Sequence, residues 1–360
     1  MNSPTKSCDI DPLPTWLLKL YINELLHIIT AIVNASLSDG MPETLKTGYV
    51  IPLLKKPSLD QQTLKHYRPV TNLAFISKVI EKTVATRLKQ HLHENGLYDP
   101  FQSAYRERHS TETALLKVQN DILTALDQGN AVVQVLLDLS AAFDTIDHQI
   151  LLSRMEKRFR VTGTALDWLK SYLCGRRQVT VISRSKSDIK QLHYGVPQGS
   201  VLGPLLFVCY MTPLSDIIDQ HGPSKHFYAD DSELYLAFKP SPRQPQATVS
   251  TLELCVSDVV KTELLIHHNP RKSLEPCKMI VDGSQVVPSD AASNLGVRYD
   301  TALHFNQHIS RVVQSTSHQL RNIGHIRQFL TTDAAKTLVQ AMVTSRLDYG
   351  NSLLAGLPDR

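Results

Sequence analysis

The chain is organised around Tyr228-Ala229-Asp230-Asp231, in which two adjacent carboxylates lie between apolar stretches. This pattern is typical of a β-hairpin with acidic residues at its turn. Two neighbouring ionised carboxylates repel each other, and a bound divalent cation is one way to offset that repulsion. An isolated Asp-Asp pair is more often an ordinary acidic turn, because Asp is a common turn residue. The interpretation of this pair as a metal site therefore needs support from elsewhere in the chain.

That support comes from a second acidic stretch upstream, after the apolar run at 131–137. The run is rich in β-branched residues and predicts a buried strand that ends at Asp138. A carboxylate at a strand end, beside a hairpin that carries two more, can hold a pair of Mg²⁺ ions ~3.5–4 Å apart, as in nucleotidyl-transfer sites. Three carboxylates suffice, because Mg²⁺ keeps waters and takes its other ligands from substrate phosphates.

A third block is Gly195-Val196-Pro197-Gln198-Gly199-Ser200. Glycine and proline predict a tight turn that exposes backbone, followed by a helix over 201–218 whose start can receive negative charge. Gln198 can hydrogen-bond a base or a sugar. Alone, such a turn is a weak indication of a functional site. Between two acidic blocks of this kind it is a strong indication.

Together these blocks resemble successive sequence blocks of reverse transcriptases, and more narrowly those of LINE-type non-LTR retrotransposons from animals. The resemblance covers most of the chain from about residue 51 to 354. It implies an α+β, right-hand polymerase fold with fingers, a palm with an antiparallel sheet, and a partial helical thumb. The predicted boundaries are 1–47 for an N-terminal helical extension, 48–130 for the fingers, 131–300 for the palm and 301–360 for the partial thumb.

The implied activity is RNA-directed DNA polymerisation, in which deoxynucleotides are added to a primer 3′-hydroxyl by two-metal nucleotidyl transfer. The resemblance assigns Asp138 and Asp230 as catalytic metal ligands, with Asp231 as auxiliary ligand. The expected cofactor is a pair of Mg²⁺ ions, with Mn²⁺ as a possible substitute. The expected partners are an RNA template, a DNA primer or hybrid duplex, and deoxynucleoside triphosphates.

Six further positions are predicted to bind substrate by this resemblance: Phe143, Gln198, Gly199, Arg68, Arg106 and Lys261. In the family the aromatic at Phe143 excludes a ribose 2′-hydroxyl, whereas the residues alone favour a core side chain that anchors the turn. Arg68 and Arg106 match arginines that hold triphosphate or template, since a planar guanidinium pairs two phosphate oxygens. Lys261 matches a lysine thought to protonate departing pyrophosphate.

The sequence also departs from the family. A helix predicted over 247–260 runs directly into a strand-like segment at 261–266 without turn residues, although the chain must reverse there. Family members carry a further turn-containing segment at this point and extend beyond both ends, so a truncated copy of a longer element is expected. A decayed or co-opted nucleic-acid-binding protein without turnover therefore stays an alternative. A two-metal nuclease, which needs only the acids, would leave Gln198 and Phe143 without a role.

Composition adds weaker constraints. The 360 residues carry a net charge of +4 from 38 basic and 34 acidic residues, which is compatible with nucleic acid without arguing for it. Five scattered cysteines indicate a reducing compartment without disulfide partners. Neither a signal peptide nor a membrane span is recognisable, so an intracellular protein of nucleus or cytoplasm is expected.

Overall fold

The computed structural model describes residues 11, 14–139, 143–241, 244–253, 261–268, 277–281 and 283–357, without the side chains of residues 138, 244 and 261. The chain divides into two compact units. The first comprises residues 1–99 and 141–213, and the second comprises residues 100–140 and 214–360. Each unit is therefore built from two separate segments of the chain.

The described helices are α1 (Thr15–Leu20), α2 (Ile22–Asp39), α3 (Phe75–Glu94), α4 (Thr111–Asp127), α5 (His148–Lys157), α6 (Gly163–Leu173), α7 (Gly203–Met211), α8 (Pro213–His221), α9 (Gln244–Glu253), α10 (Asn306–Ile326), α11 (Thr332–Val339) and α12 (Ser345–Asp348). The described strands are β1 (Thr47–Leu54), β2 (Tyr67–Asn72), β3 (Ala131–Asp138), β4 (Arg177–Ile182), β5 (Ser185–Lys186), β6 (Lys190–Gln191), β7 (Ser224–Tyr228), β8 (Asp231–Phe238), β9 (Lys261–His267), β10 (Met279–Val281), β11 (Ser284–Val286), β12 (Ala291–Asn294) and β13 (Val297–Asp300).

The first unit combines a small mixed sheet with helices. The strand order is β2-β1-β4-β5, with β6 also paired to β4, and β1 lies antiparallel to β2 but parallel to β4. Helix α3 buries Ile80, Ala85 and Leu88 at helical spacing. Trp168 and Tyr172 of α6 stack with ring centroids 5.4 Å apart.

The second unit contains the antiparallel sheet β7-β8-β3-β9. Strand β3, which lies between β8 and β9, is buried on both faces. Val133 packs into one cluster with Val249 of α9, and Val132 packs into another with Leu115 of α4. Two covered faces explain why the apolar run at 131–137 shows no alternation of polar and apolar residues.

Some predicted elements differ in extent. The helix expected over 201–218 consists of two helices, α7 and α8, because Pro213 lacks the N–H that a continuous helix would need and instead begins α8. The hairpin β12–β13 was not predicted. Strand β9 begins at Lys261 as predicted, but the expected helix-to-strand break falls on residues 254–260, outside the described residues. The domain boundaries stay predictions.

The C-terminal region is helical from α10 to α12, as predicted. Among the helices of the described ranges, none is both long and apolar enough to cross a membrane.

Candidate active site

Strands β7 and β8 form a hairpin whose two-residue tip is Ala229-Asp230. Tyr228 and Asp231 are the last paired residues below the tip. Ala229 has a φ of 59°, and two-residue hairpin turns require a positive φ at this position. This left-handed conformation costs a non-glycine residue roughly 1–2 kcal/mol. The hairpin predicted from the sequence is confirmed, with Asp230 half-buried at the tip and Asp231 exposed.

Strand β3 brings the other predicted carboxylate to this hairpin. Asp138 pairs in register with Asp231 of β8 on one side and with Lys261 of β9 on the other. Directly opposite residues of antiparallel strands have Cα atoms about 4.5–5.5 Å apart. The backbones of Asp138 and Asp231 are therefore adjacent, and Asp230 is the next residue along the chain. The side chains of Asp138 and Lys261 lie outside the described part of the structure, so their roles stay predictions.

The donor set at the hairpin suits Mg²⁺. Partial burial, and then the charges of Asp230 and Tyr228, raise the pKa of Tyr105 near the tip. Across the described side chains, no group of three His, Cys, Asp or Glu residues is placed to hold a metal ion. Carboxylates of Asp230 and Asp231 nevertheless fit Mg²⁺, because this ion commonly binds through one or two carboxylates and completes its shell with waters and substrate phosphates.

A segment outside the sheet runs alongside β7. The N–H of Phe227 donates to the carbonyl of Phe101 at 2.9 Å, and the N–H of Ser103 donates to the carbonyl of Phe227 at 2.9 Å. Gln102 and Phe227 thereby form a parallel bridge. The side chain of Ser103 also lies 2.9 Å from Nε2 of His226. The outer edge of β7 is therefore paired close to the acidic tip.

Gln102 extends this contact to the tip itself. Its side chain is only 4% exposed. Its Oε1 accepts the N–H of Ala229 at 3.0 Å and the N–H of Ala104 at 2.9 Å. The sequence gave no indication of this role for Gln102.

A buried polar network lies two residues along β8 from Asp231. The carboxylate of Glu233 accepts from Nε2 of Gln134 at 3.0 Å and from Nδ2 of Asn294 at 2.5 Å. Oε1 of Gln134 lies 2.9 Å from Nε2 of His267. Burial raises the pKa of Glu233 to about 7 and lowers the pKa of His267 to about 4. The network was missed, although a glutamine inside the apolar run of β3 was a possible signal.

In the first unit, the loop at 195–200 packs against the turn that contains Phe143 and Asp144. Nε2 of Gln198 donates to Oδ2 of Asp144 at 3.1 Å, and the carbonyl of Gln198 accepts the N–H of Thr71 at 2.7 Å. Burial raises the pKa of Asp144, and the bond from Gln198 opposes that shift. Gly199 follows and is exposed. Three of the predicted positions thus belong to one local cluster.

Phe143 and Gly195 show why this cluster packs closely. The ring of Phe143 is half-buried, with its centroid 5.0 Å from that of Phe207 in α7. A Cβ at Gly195 would lie 2.8 Å from the carbonyl oxygen of Phe143 and 2.8 Å from Cα of Asp144. Gly195 also has a φ of 79°, so only glycine fits this approach without strain.

Glu81 of α3 binds the backbone at the start of α7. Its Oε2 accepts the N–H groups of Val201 and Leu202 at 2.7 and 3.3 Å, just before α7 begins. A carboxylate at this end of a helix satisfies donors that have no partner within the helix and interacts favourably with its dipole. Nothing in the sequence pattern of α3 indicated this role for Glu81.

The two predicted arginines lie in different units. Arg68 is exposed on β2, opposite Leu53 of β1. Arg106 is half-buried in the second unit, where its Nη1 donates to the carbonyl of Gln102 at 3.1 Å. Triphosphate or template binding by either arginine stays a prediction.

An antiparallel sheet that presents carboxylates on neighbouring strands is an arrangement suited to nucleotidyl transfer. The family described as reverse transcriptase (RNA-dependent DNA polymerase) matches residues 54–268. The chain therefore belongs to the reverse transcriptase family.

Curated relatives narrow this assignment. The probable RNA-directed DNA polymerase from transposon BS of Drosophila melanogaster is 27% identical, over 96% of this chain and 40% of that protein. The corresponding probable enzyme from the X-element of the same species is 34% identical, over 54% of this chain and 21% of that protein. The RNA-directed DNA polymerase from its mobile element jockey is 26% identical, over 92% of this chain and 38% of that protein. These relatives confirm the resemblance to LINE-type non-LTR retrotransposons, and the chain spans less than half of each of them.

Among solved structures, that of apo telomerase from Candida tropicalis, truncated from its C-terminal domain, has a TM-score of 0.50 and 11% sequence identity, and the match covers 77% of this chain and 59% of that chain. This likeness concerns the fold alone. Together with the family match, it confirms the predicted α+β, right-hand polymerase fold class.

Proposed function

We propose that the chain is an RNA-directed DNA polymerase domain that adds deoxynucleotides to a primer 3′-hydroxyl paired with an RNA template. The observation that carries this proposal is the pairing of β3 with β8, in which Asp138 lies opposite Asp231 and beside the hairpin tip. The names of the curated relatives, which are RNA-directed DNA polymerases, support the same reaction. The proposed partners are an RNA template, a DNA primer or hybrid duplex, and deoxynucleoside triphosphates.

Asp138, Asp230 and Asp231 would hold two Mg²⁺ ions, or Mn²⁺ in their place. When bound, Mg²⁺ supplies charge stabilisation on the transferred phosphoryl group and activation of the attacking oxygen. The protein contributes preorganisation. The antiparallel ladder and the two-residue turn fix the backbone of all three carboxylates before substrate arrives, so that little reorganisation is needed during the reaction.

The proposal gives roles to the other predicted residues. Phe143 excludes a ribose 2′-hydroxyl by its bulk, and Gln198 with Gly199 contacts the nucleotide or template. Arg68 and Arg106 bind phosphate oxygens through their planar guanidinium groups. Lys261, which is paired with Asp138 in the β3–β9 ladder, protonates the pyrophosphate that leaves.

Primer extension on an RNA template tests the proposal, with the 360-residue chain, a DNA primer and the four deoxynucleotides. Wild type is expected to extend the primer, and Asp230→Asn to lose about a thousandfold or more, because the metal site supplies several kcal/mol of transition-state stabilisation. Asp333→Asn is the matched control, since this carboxylate is 95% exposed on α11.

Two outcomes would contradict the proposal. Template cleavage that depends on Asp230 would identify a two-metal nuclease instead. Binding of an RNA–DNA hybrid by wild type without any extension would identify a nucleic-acid-binding protein that has no polymerase activity.

A further inference from the structure

The acidic hairpin tip depends on one side-chain acceptor from a distant part of the chain. Ala229 adopts a left-handed conformation directly before Asp230. Its N–H points to Oε1 of Gln102, a residue 127 positions away in sequence. The same oxygen accepts the N–H of Ala104. One buried amide oxygen thus connects the tip of the hairpin to the segment that runs alongside β7.

This connection lies beyond the main-chain hydrogen bonds that join the segment to β7. Main-chain bonds from Phe101 and Ser103 reach only as far as Phe227, two residues before Ala229. Beyond that point, Gln102 binds the tip through its side chain, in addition to the β7–β8 pairing of Tyr228 with Asp231. A side chain without an acceptor would leave two buried N–H groups unpaired, and an unpaired buried donor is strongly unfavourable. The strained turn would then relax, and its next residue is Asp230.

We propose that Gln102 is a positioning residue that fixes the Ala229-Asp230 turn and so directs the carboxylate of Asp230 towards a divalent cation. This inference rests on the proposed function, because it concerns the same metal site. Gln102 does not touch substrate or metal in this proposal. It acts through the backbone of Ala229, as residues behind metal ligands commonly orient them.

Three variants of the full chain separate positioning from general stability. Gln102→Met keeps the length of the side chain and removes the acceptor. Gln102→Glu keeps an acceptor oxygen and should restore the turn, which amide exchange at the tip measures. Its added charge near Asp230 excludes it from the comparison of cation affinity. Gln119→Met is the matched control, because Gln119 is another buried glutamine of the second unit, 8% exposed, and its Nε2 donates to the carbonyl of Leu353 at 3.0 Å.

The first measurement is Mn²⁺ binding to the chain without nucleic acid, followed by electron paramagnetic resonance. Gln102→Met should bind Mn²⁺ about 10-fold more weakly, as expected when the support of a metal ligand is lost. Gln119→Met should bind like wild type. Thermal unfolding of each variant verifies that Gln102→Met and Gln119→Met are folded at the assay temperature.

The second measurement is amide hydrogen exchange in the peptide that contains the tip. Exchange should be faster in Gln102→Met than in Gln119→Met, because only the first variant frees the N–H of Ala229. In primer extension, Gln102→Met should need about 10-fold more Mg²⁺ for its half-maximal rate, and excess Mg²⁺ should restore that rate.

The outcomes are distinguishable. Equal Mn²⁺ affinity in Gln102→Met and wild type, or equal exchange at the tip, overturns the positioning role. Wild type that binds Mn²⁺ but extends no primer overturns the proposed function, while the binding comparison still decides the role of Gln102. Wild type that binds no Mn²⁺ overturns both.

Discussion

Nη2 of Arg176 lies 4.0 Å from Oε1 of Glu81, and the two side chains are 1% and 0% exposed. The guanidinium is further fixed by Tyr172, whose carbonyl accepts from Nε at 2.8 Å and whose ring centroid lies 4.1 Å from Cζ. Burial raises the pKa of Glu81, and the charge of Arg176 only partly opposes that shift. Glu81 therefore connects α3 both to Arg176 and to the residues directly before α7.

Glu81→Gln should destabilise the protein by about 3–5 kcal/mol, because it leaves the buried Arg176 without a counter-charge. Urea unfolding at pH 8 measures the loss. The double variant Glu81→Gln with Arg176→Met should recover part of it, since the two residues are coupled. Asp333→Asn is the control, because Asp333 and Lys336 pair through side chains that are 95% and 75% exposed, and an exposed pair contributes little. Equal losses in Glu81→Gln and Asp333→Asn would contradict the importance assigned to the buried pair.

The network of Glu233 and His267 should contribute two opposite pH dependences to stability. The folded pKa of Glu233, about 7, lies above its ordinary 4.5, so its contribution is present below pH 4.5 and is lost as the pH rises through 7. The folded pKa of His267, about 4, lies below its ordinary 6.5, so its contribution is present above pH 6.5 and is lost as the pH falls through 4. Each of these pH dependences changes the free energy of unfolding by about 3 kcal/mol, and the two largely cancel in wild type.

Single variants should reveal each dependence. Relative to wild type, His267→Gln should gain stability as the pH falls from 7 to 4.5 because only the linkage of Glu233 remains. Glu233→Gln should lose stability over the range from 6.5 to 4. Denaturant unfolding in a chelating buffer measures both, with His318→Gln on the exposed face of α10 as the control. Parallel pH profiles for the two network variants would show that these shifts do not govern stability.

Gly195→Ala should destabilise the first unit by about 2 kcal/mol or more, because the new methyl group meets backbone atoms and the positive φ is strained as well. Gly96→Ala separates the two causes. Gly96 has a φ of 61°, but a Cβ there would meet nothing within 4 Å, so this variant should lose only about 1 kcal/mol. Chemical unfolding of both variants gives the comparison, and similar losses would mean that the close approach to Phe143 is unimportant.

Phe143→Val should increase ribonucleotide incorporation relative to deoxynucleotide incorporation by about 10-fold or more, if the aromatic ring excludes the 2′-hydroxyl. Primer extension with each nucleotide class measures the ratio. Phe207→Leu alters the ring that packs on Phe143 at 5.0 Å, and it should lower stability without changing the ratio. An unchanged ratio in Phe143→Val would assign Phe143 to the packing of the turn.

Local signals in the sequence predicted much of the fold. The apolar run of β3 and the acidic turn after β7 needed only a few consecutive residues, and both elements are observed. Pro213 was also a local signal, and its effect on the helix expected over 201–218 could have been predicted. The pairing of Asp138 with Asp231, by contrast, was not predicted, since a strand does not reveal its register until its partner is known. The sequence indicated only that the three carboxylates would lie close together.

The supporting residues of the site were not predictable in this way. Gln102 binds a residue 127 positions away, Glu81 one 120 positions away, and Gln134 one 99 positions away. Gln102 and Glu81 would be interpreted as ordinary polar residues in a single sequence, and Gln134 inside its apolar run indicates a buried polar side chain without identifying its partners. Their roles depend on which segments the tertiary structure brings together, and periodicity carries no information about that choice.

The central place of β3 also affects how the protein is made. The ribosome releases β3 before either of its sheet neighbours, β8 and β9, has been synthesised. Until then, the nascent chain carries a strongly apolar strand with both hydrogen-bonding edges unpaired, and such segments aggregate readily. Efficient biogenesis of this protein should therefore depend on chaperones that shield residues 131–137 while translation proceeds to the end of β9.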